Sequence, residues 1–264
     1  MAKQGDIGRV WDYVVNTQVW RSIMRHGYPD TPRNRSLAIM ANVFFHLHPI
    51  RLRKSGLRVR YTWCMGGLTF FLFLVETITG LLLMFYYRPT AEYAYHDIVY
   101  LRADVALGTM REIHRWGAHA MVITIWLHMM RVFLTGAYKP PREFNWGVGV
   151  VLLVLTLLLS FTGYLLPWDQ LAMWAITVGT NMARATPLLG HEGPGAAFIK
   201  VGDISVVHSA SDVRFGLLAS RFVGAPAILR FYVLHCVGFP LIAAFLIAVH
   251  FWRVRKDGGI SGPL

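Results

Sequence analysis

Apolar positions gather into four runs, Met65–Tyr87, Gly117–Tyr138, Trp146–Pro167 and Phe231–Trp252, between stretches where charged and turn-forming residues return. A helix rises about 1.5 Å per residue, so roughly twenty apolar residues cross a hydrocarbon core about 30 Å thick. The pattern therefore predicts four transmembrane helices. Ahead of them, Ile7–Met24 alternates Val, Trp, Tyr and Ile with polar residues at helical spacing, which predicts an amphipathic helix lying in the membrane interface. The connection Trp168–Arg230 concentrates Gly, Pro and Ser between Thr186 and Ser211, which predicts a short amphipathic helix followed by an irregular segment. The expected fold is an all-α membrane protein. A basic extension with the interfacial helix occupies residues 1–60, and a four-helix transmembrane bundle occupies residues 61–264.

Composition sharpens this picture. The 264 residues are 55% hydrophobic and 15% charged, too apolar for an ordinary soluble or disordered chain. Cys64 and Cys236 are the only cysteines, and no CxxC or CxxCH occurs, so disulfide frameworks, zinc ribbons and ordinary c-type haem motifs are excluded. The net charge of +12 suggests nucleic acid until it is sorted by side. Residues 1–64, the loop Arg131–Asn145 and the tail after Trp252 carry 17 basic and 5 acidic residues, while the rest of the chain balances at 9 and 9. The whole surplus lies on one membrane side, so the charge reports topology. Both termini are expected in the cytoplasm, and the second and fourth spans run parallel. The run Arg51–Arg60, with five basic residues, is expected to lie on anionic headgroups. Met1–Tyr61 has no continuous apolar core and does not read as a signal peptide.

Of eleven histidines, four stand out: His114 and His128 bracket the second span, and His235 and His250 lie in the fourth. Fourteen residues turn a helix to about 40° short of four turns and advance it about 21 Å, so His114 and His128 share a face. Fifteen residues overshoot by about 60°, still one face. In parallel spans, His114 is expected opposite His235 near the outer face and His128 opposite His250 near the inner face. Imidazole pairs without further protein ligands suit haem iron, whose macrocycle supplies the other four positions, better than zinc. Taken singly, each histidine reads as an interhelical hydrogen-bond partner; four in register favour two b-type haems. His119 is off the pattern and is expected to pack or bond between helices.

Gly66 and Gly80 on the first span and Gly149 and Gly163 on the third repeat the fourteen-residue period of the second-span histidines. A missing side chain lets a haem edge or another backbone approach closely. Arg111 and Arg115 near the outer pair, and Arg131 near the inner one, are candidates for haem propionates or for snorkelling at the interface.

The strings CMGG (64–67), FYYRPT (85–90), HRW (114–116), GYLLPWDQ (163–170), RFYVLH (230–235) and ISGPL (260–264) make the chain resemble the cytochrome b6 family. That family corresponds to the amino-terminal half of the cytochrome b of quinol:cytochrome c reductases. The resemblance covers about residues 57–264. Two tracts depart from it, a longer amino-terminal segment and an apparent insertion near Gly190–Arg214. It implies that His114 and His235 ligate a low-potential haem and His128 and His250 a high-potential one. It further implies a third, covalent c-type haem on Cys64, with Arg255 near that haem and an inner quinone pocket. Cys236 reads as a packing residue. Glu76 stands within the first span where relatives typically have glutamine. A proton-handling carboxyl and a protonated mimic of the amide both remain open.

The function implied is that of a redox subunit in a Rieske/cytochrome b complex of a respiratory or photosynthetic electron-transport chain. Quinol is oxidised at the outer face and quinone reduced at the inner face, with proton translocation. The expected partners are a Rieske iron–sulfur protein, a c-type cytochrome, quinone, membrane lipid and a separate subunit carrying the PEWY motif absent here. A homodimer of the whole complex is also implied. The GYLLPWDQ turn and the helix through Trp174 would form this chain's side of the outer quinol site. The basic extension favours a bacterial plasma membrane over a thylakoid. A dihaem anchor of a dehydrogenase or hydrogenase is the competing redox reading, but it lacks these strings and the parallel register. A membrane scaffold would need no histidine register, and no nucleic-acid role is expected.

Overall fold

The computed structural model describes residues 3–23, 31–35, 54, 58 and 63–258. Most of the Arg51–Arg60 run and the terminal ISGPL string lie outside the described residues. The helices are α1 (Lys3–Asn16), α2 (Gln18–Ile23), α3 (Met65–Met84), α4 (Ala94–Ala103), α5 (Val105–Leu134), α6 (Glu143–Leu165), α7 (Gln170–Ala183), α8 (Val213–Leu218) and α9 (Ala225–Asp257). A 3-10 turn at Ala196–Phe198 and a two-stranded ribbon precede α8. In the ribbon β1 (Lys200–Val201) pairs antiparallel with β2 (Ile204–Ser205), Lys200 opposite Ser205.

Helices α3, α5, α6 and α9 are long and apolar enough to span a bilayer, as the hydropathy pattern predicts. Two of them exceed the predicted runs. Helix α5 starts at Val105 rather than Gly117, because Asp104 receives the Leu107 N–H at 2.8 Å as an N-cap. The polar stretch that ends the apolar run is still good helix, with Arg115 bonding Glu112 one turn back. Helix α9 starts at Ala225, with Pro226 in its first turn, rather than at Phe231. The predicted interfacial helix is two helices broken at Thr17, whose hydroxyl caps the Trp20 N–H at 3.2 Å, and Trp11 meets Trp20 edge-on. The connection after α6 contains the expected short helix, α7. The ribbon and the 3-10 turn fall in the tract read as irregular, and α4 was not anticipated.

Two compact units divide the chain, and each long helix contributes one part to each. One comprises Met1–Phe70, Val122–Val154 and Ala243–Leu264. There Thr69 donates to Thr124 at 3.1 Å and Phe70 meets Phe251 edge-on, joining α3 to α5 and to α9. Arg253 is fully buried, paired with Asp257 and stacked over Phe144.

The other unit comprises Phe71–Met121 and Leu155–Ile242. Its core joins Leu165, Ile176, Leu218, Ala227 and Phe231, with a second cluster of Tyr87, Ala94 and Ile228. Helix α7 buries Ala172, Ile176 and Thr180 on one face and exposes Leu171, Trp174, Val178 and Met182 on the other. Across the long helices, large apolar side chains such as Phe71, Ile78, Ile123 and Phe245 face outward, as they do on helices whose surroundings are lipid. The chain is an integral membrane protein.

Candidate functional site

His114 on α5 and His235 on α9 face each other with ring centroids 6.1 Å apart and ring planes at 82°. In the other unit His128 and His250 do the same, at 6.3 Å and 81°. Two metal–imidazole bonds of about 2.0 Å in line, plus about 1.1 Å from each nitrogen to its ring centre, require a centroid separation of about 6 Å. Among the described residues, no group of three or more His, Cys, Asp or Glu side chains converges as a metal site. Each pair thus offers two imidazole donors, the number a haem iron would take from the protein, and both pairs fit that group.

The hydrogen bonds around the first pair fix which ring nitrogen is left free to act as a ligand. His235 Nδ1 lies 3.1 Å from the Leu159 carbonyl and 3.2 Å from Thr162 Oγ1. The carbonyl can only accept, so Nδ1 carries the proton and Nε2 keeps its lone pair. Thr162 commits its own proton to the Leu158 carbonyl at 2.8 Å. Across the pair, Thr79 donates to the Val75 carbonyl at 2.7 Å and its oxygen meets His114 Nδ1 at 2.9 Å. Glu76 Oε2 lies 3.1 Å from the same nitrogen.

The local backbone explains how His235 is placed. Pro240 has no N–H to give to the Cys236 carbonyl, so the ladder slips and the Phe239 N–H bonds Leu234 five residues back. The resulting π-turn, Leu234–Gly238, carries the histidine.

The four glycines sit one to each histidine. A Cβ on Gly80 would come within 3.2 Å of His114, and one on Gly163 within 2.6 Å of His235. In the other unit, a Cβ on Gly66 would reach 3.2 Å from His128 and one on Gly149 3.7 Å from His250. The near neighbour at each glycine is thus an imidazole ring, where a haem edge or another backbone was expected.

Other sequence expectations meet specific partners. Arg111 and Arg115 both pair with Glu112, at 2.9 Å and 2.6 Å. Arg131 stacks on Trp63, its guanidinium carbon 5.2 Å from the ring. Cys64 is exposed in the turn that opens α3, with a positive φ of 52°, and its carbonyl accepts the Leu68 N–H. Arg255 lies half-buried near the end of α9. His119 corrects the expectation of an interhelical contact: its Nδ1 bonds the Arg115 carbonyl one turn back on its own helix. The GYLLPWDQ string ends α6 and starts α7, where Asp169 accepts the Ala172 N–H at 2.8 Å as an N-cap. Tyr87 donates to the Leu166 carbonyl of that turn at 2.6 Å, and burial raises its hydroxyl above the usual tyrosine range.

The sequence reading missed Thr79, Thr162 and Glu112. A signal for the threonines was present: each precedes one of the glycines beside the His114–His235 pair, giving Thr-Gly at 79–80 and again at 162–163.

Comparison with known proteins gives the family. The family profile described as Cytochrome b/b6/petB matches residues 52–206. The menaquinol:cytochrome c reductase cytochrome b subunit of Bacillus subtilis (strain 168) is 36% identical over 265 residues, covering 98% of this chain and all of that protein. Its namesake in Geobacillus thermodenitrificans is 34% identical over 263 residues, again covering 98% of this chain and all of the relative. Cytochrome b6 of Gracilaria tenuistipitata var. liui is 40% identical over 207 residues, or 78% of this chain and 86% of that one. The Bacillus and Geobacillus alignments take in most of the basic amino-terminal segment, which the b6 motifs do not reach. A solved structure titled "Hyperthermophilic respiratory Complex III" superposes with a TM-score of 0.62 at 26% identity over 75% of this chain, which spans 48% of that one. Facing histidine pairs on apolar helices and this agreement over most of the chain have one reading: the protein belongs to the cytochrome b/b6 family.

Proposed function

We propose that this chain is the cytochrome b subunit of a menaquinol:cytochrome c reductase and holds two b-type haems, one on His114 and His235 and one on His128 and His250. The observation that carries this reading is the pair of facing imidazole couples at 6.1 and 6.3 Å. Bound there, haem supplies one-electron redox chemistry, with its potential set by the axial ligands and what surrounds them.

The chain's own residues prepare these positions. Leu159 and Thr162 hold the proton of His235 on Nδ1, and Thr79 does so for His114, so each ring presents Nε2. Gly80, Gly163, Gly66 and Gly149 leave the space the four rings occupy. Arg111 and Arg115, held by Glu112, form a cationic cluster beside His114 for haem propionates.

The turn Gly163–Gln170 and the exposed apolar stripe of α7, from Leu171 through Trp174, form this chain's side of an outer quinol site and of its contact with a subunit carrying PEWY. Their support is the combination of cap, positive φ at Trp168 and outward apolar face. A Rieske protein, a c-type cytochrome and a dimeric complex complete the assembly. Cys64 is the candidate for a covalent third haem, since it is exposed and follows Trp63, on which Arg131 stacks, with Arg255 on the same unit. The basic surplus supports termini on the cytoplasmic side of a bacterial plasma membrane, with α1 and α2 at its surface.

The test is haem stoichiometry in the purified complex. Two non-covalent haems per chain are expected, one lost in His114→Leu or His235→Leu and the other in His128→Leu or His250→Leu. Haem content unchanged in these variants would refute the assignment. After acidified-acetone extraction, haem that stays on the polypeptide and disappears in Cys64→Ala would establish the covalent group; complete extraction would make Cys64 a packing residue. Copurification with a Rieske protein separates this reading from a dihaem dehydrogenase anchor.

A further inference from the structure

Glu76 is the only charged side chain in α3, and such a residue in an apolar span is costly unless it has a task. Its carboxyl is largely enclosed, with 14% of the side chain exposed. Oε2 lies 3.1 Å from His114 Nδ1, while Oε1 is buried and accepts no hydrogen bond. The space for that oxygen is made by Gly117: a Cβ there would stand 2.1 Å from Oε1. A carboxyl on α3 and a missing side chain on α5 are thus matched, and the match delivers an oxygen to Nδ1 of a histidine whose ring faces its partner.

The rest of the environment makes this placement selective. His235, on the other side of the pair, meets only neutral acceptors, the Leu159 carbonyl and the Thr162 hydroxyl. Among the described residues, no ion pair joins a carboxylate to His128 or His250. One histidine of the four therefore has a carboxyl at its Nδ1.

We propose that Glu76 is a positioning residue for His114: its carboxyl shares the Nδ1 proton with Thr79, fixes the ring, and lowers the reduction potential of the haem on the His114–His235 pair. This rests on the bis-histidine reading above. A ligating imidazole whose other N–H is drawn toward a carboxyl becomes a stronger donor through Nε2. Stronger donation favours oxidised iron, so the potential falls. Gly117 is the second half of the device, because any side chain there displaces the carboxyl.

Redox titration of the intact complex, followed by haem absorbance, tests this. Glu76→Gln keeps the volume and an acceptor oxygen; Glu76→Leu removes the acceptor. The potential of one haem is expected to rise in the order wild type, Gln, Leu, while the other haem stays in place and haem content is unchanged. Gly117→Ala is expected to raise the same haem and to add little on top of Glu76→Leu, since both act through one contact. Unmoved potentials with haem retained would overturn the proposal. Equal shifts of both haems would also overturn it, because they report general loosening. Loss of haem from Glu76→Gln would do the same, since the carboxyl would then hold the haem rather than tune it. His114→Leu and His235→Leu keep the two readings apart. Full haem in these variants defeats the ligand assignment itself; lost haem with unresponsive Glu76 variants defeats only this inference.

Discussion

Gly163→Ala probes whether the histidine pairs are as tightly seated as the geometry indicates. The added Cβ would meet His235 Cε1 at 2.6 Å and Nε2 at 3.1 Å, so the ring must retreat by about 0.8 Å to reach the 3.4 Å at which ordinary contact begins. Retreat is opposed because it stretches the hydrogen bond that holds His235 Nδ1 at 3.1 Å from the Leu159 carbonyl, which lies on the same helix as Gly163. Overpacking a well-filled site costs about 1–3 kcal/mol. Alanine's better helix propensity returns at most about 1 kcal/mol. A net loss near 1.4 kcal/mol corresponds to about a tenfold fall in haem affinity at this pair. Gly149→Ala is the internal control, because its Cβ would stand 3.7 Å from His250, an ordinary contact. It is expected to hold haem as the wild type does and to melt no earlier. Gly80→Ala and Gly66→Ala, both at 3.2 Å, are expected to fall between. The assay is haem per polypeptide, measured as the pyridine haemochrome during dilution in detergent. Equal haem loss from Gly149→Ala and Gly163→Ala would refute the reasoning, and so would wild-type retention in Gly163→Ala.

Three further outcomes are expected. Tyr87→Phe removes the donor to the Leu166 carbonyl and is expected to destabilise the unit around the α6–α7 turn by about 1–3 kcal/mol, read as a lower melting temperature in detergent; an unchanged melt counts against that bond. The Arg88 guanidinium, joined by the Arg88 N–H, holds the Asp97 carboxyl below its ordinary range. A depressed carboxylate stabilises the fold above its unfolded pKa, and that contribution is lost as pH falls through the folded value. Protection of the amides over Arg88–Ala103, taken relative to their intrinsic exchange at each pH, is therefore expected to fall on acidification in the wild type, and Asp97→Asn to lack this dependence. Burial raises the Asp212 carboxyl, but the Phe215 N–H and His191, whose Nδ1 lies 2.5 Å away, outweigh it and leave the group below its ordinary range. Asp212→Ala is expected to cost about 0.5–2 kcal/mol through the lost cap of α8, and proteolysis of Gly190–Arg214 is the readout; wild-type resistance would count against it.

Much of the protein was determined along the chain itself. Bilayer length and apolarity depend on composition alone, so the four spans were legible. The histidine and glycine periods are properties of helical rotation, so His114, His128, His235 and His250 could be grouped before any packing was known. Helix ends were less legible. Asp104 and Pro226 start α5 and α9 outside the apolar runs, because capping and backbone hydrogen bonding, not hydropathy, set where a helix begins. The π-turn at His235 follows from Pro240, but the way the ladder slips depends on what packs around it.

Only the tertiary structure decided which groups meet across helices. Glu76 reads in the sequence as an ionisable residue in a span; its contact with His114 exists because α3 packs on α5 with Gly117 yielding the space. Arg111 and Arg115 read as anion partners, and folding gives both to Glu112. His119 reads as a bridge, and a carbonyl one turn away on its own helix satisfies it first. The physical reason is range. Periodicity and length are local sums over neighbouring residues, whereas a hydrogen bond or a close contact needs two distant segments placed within a few tenths of an ångström.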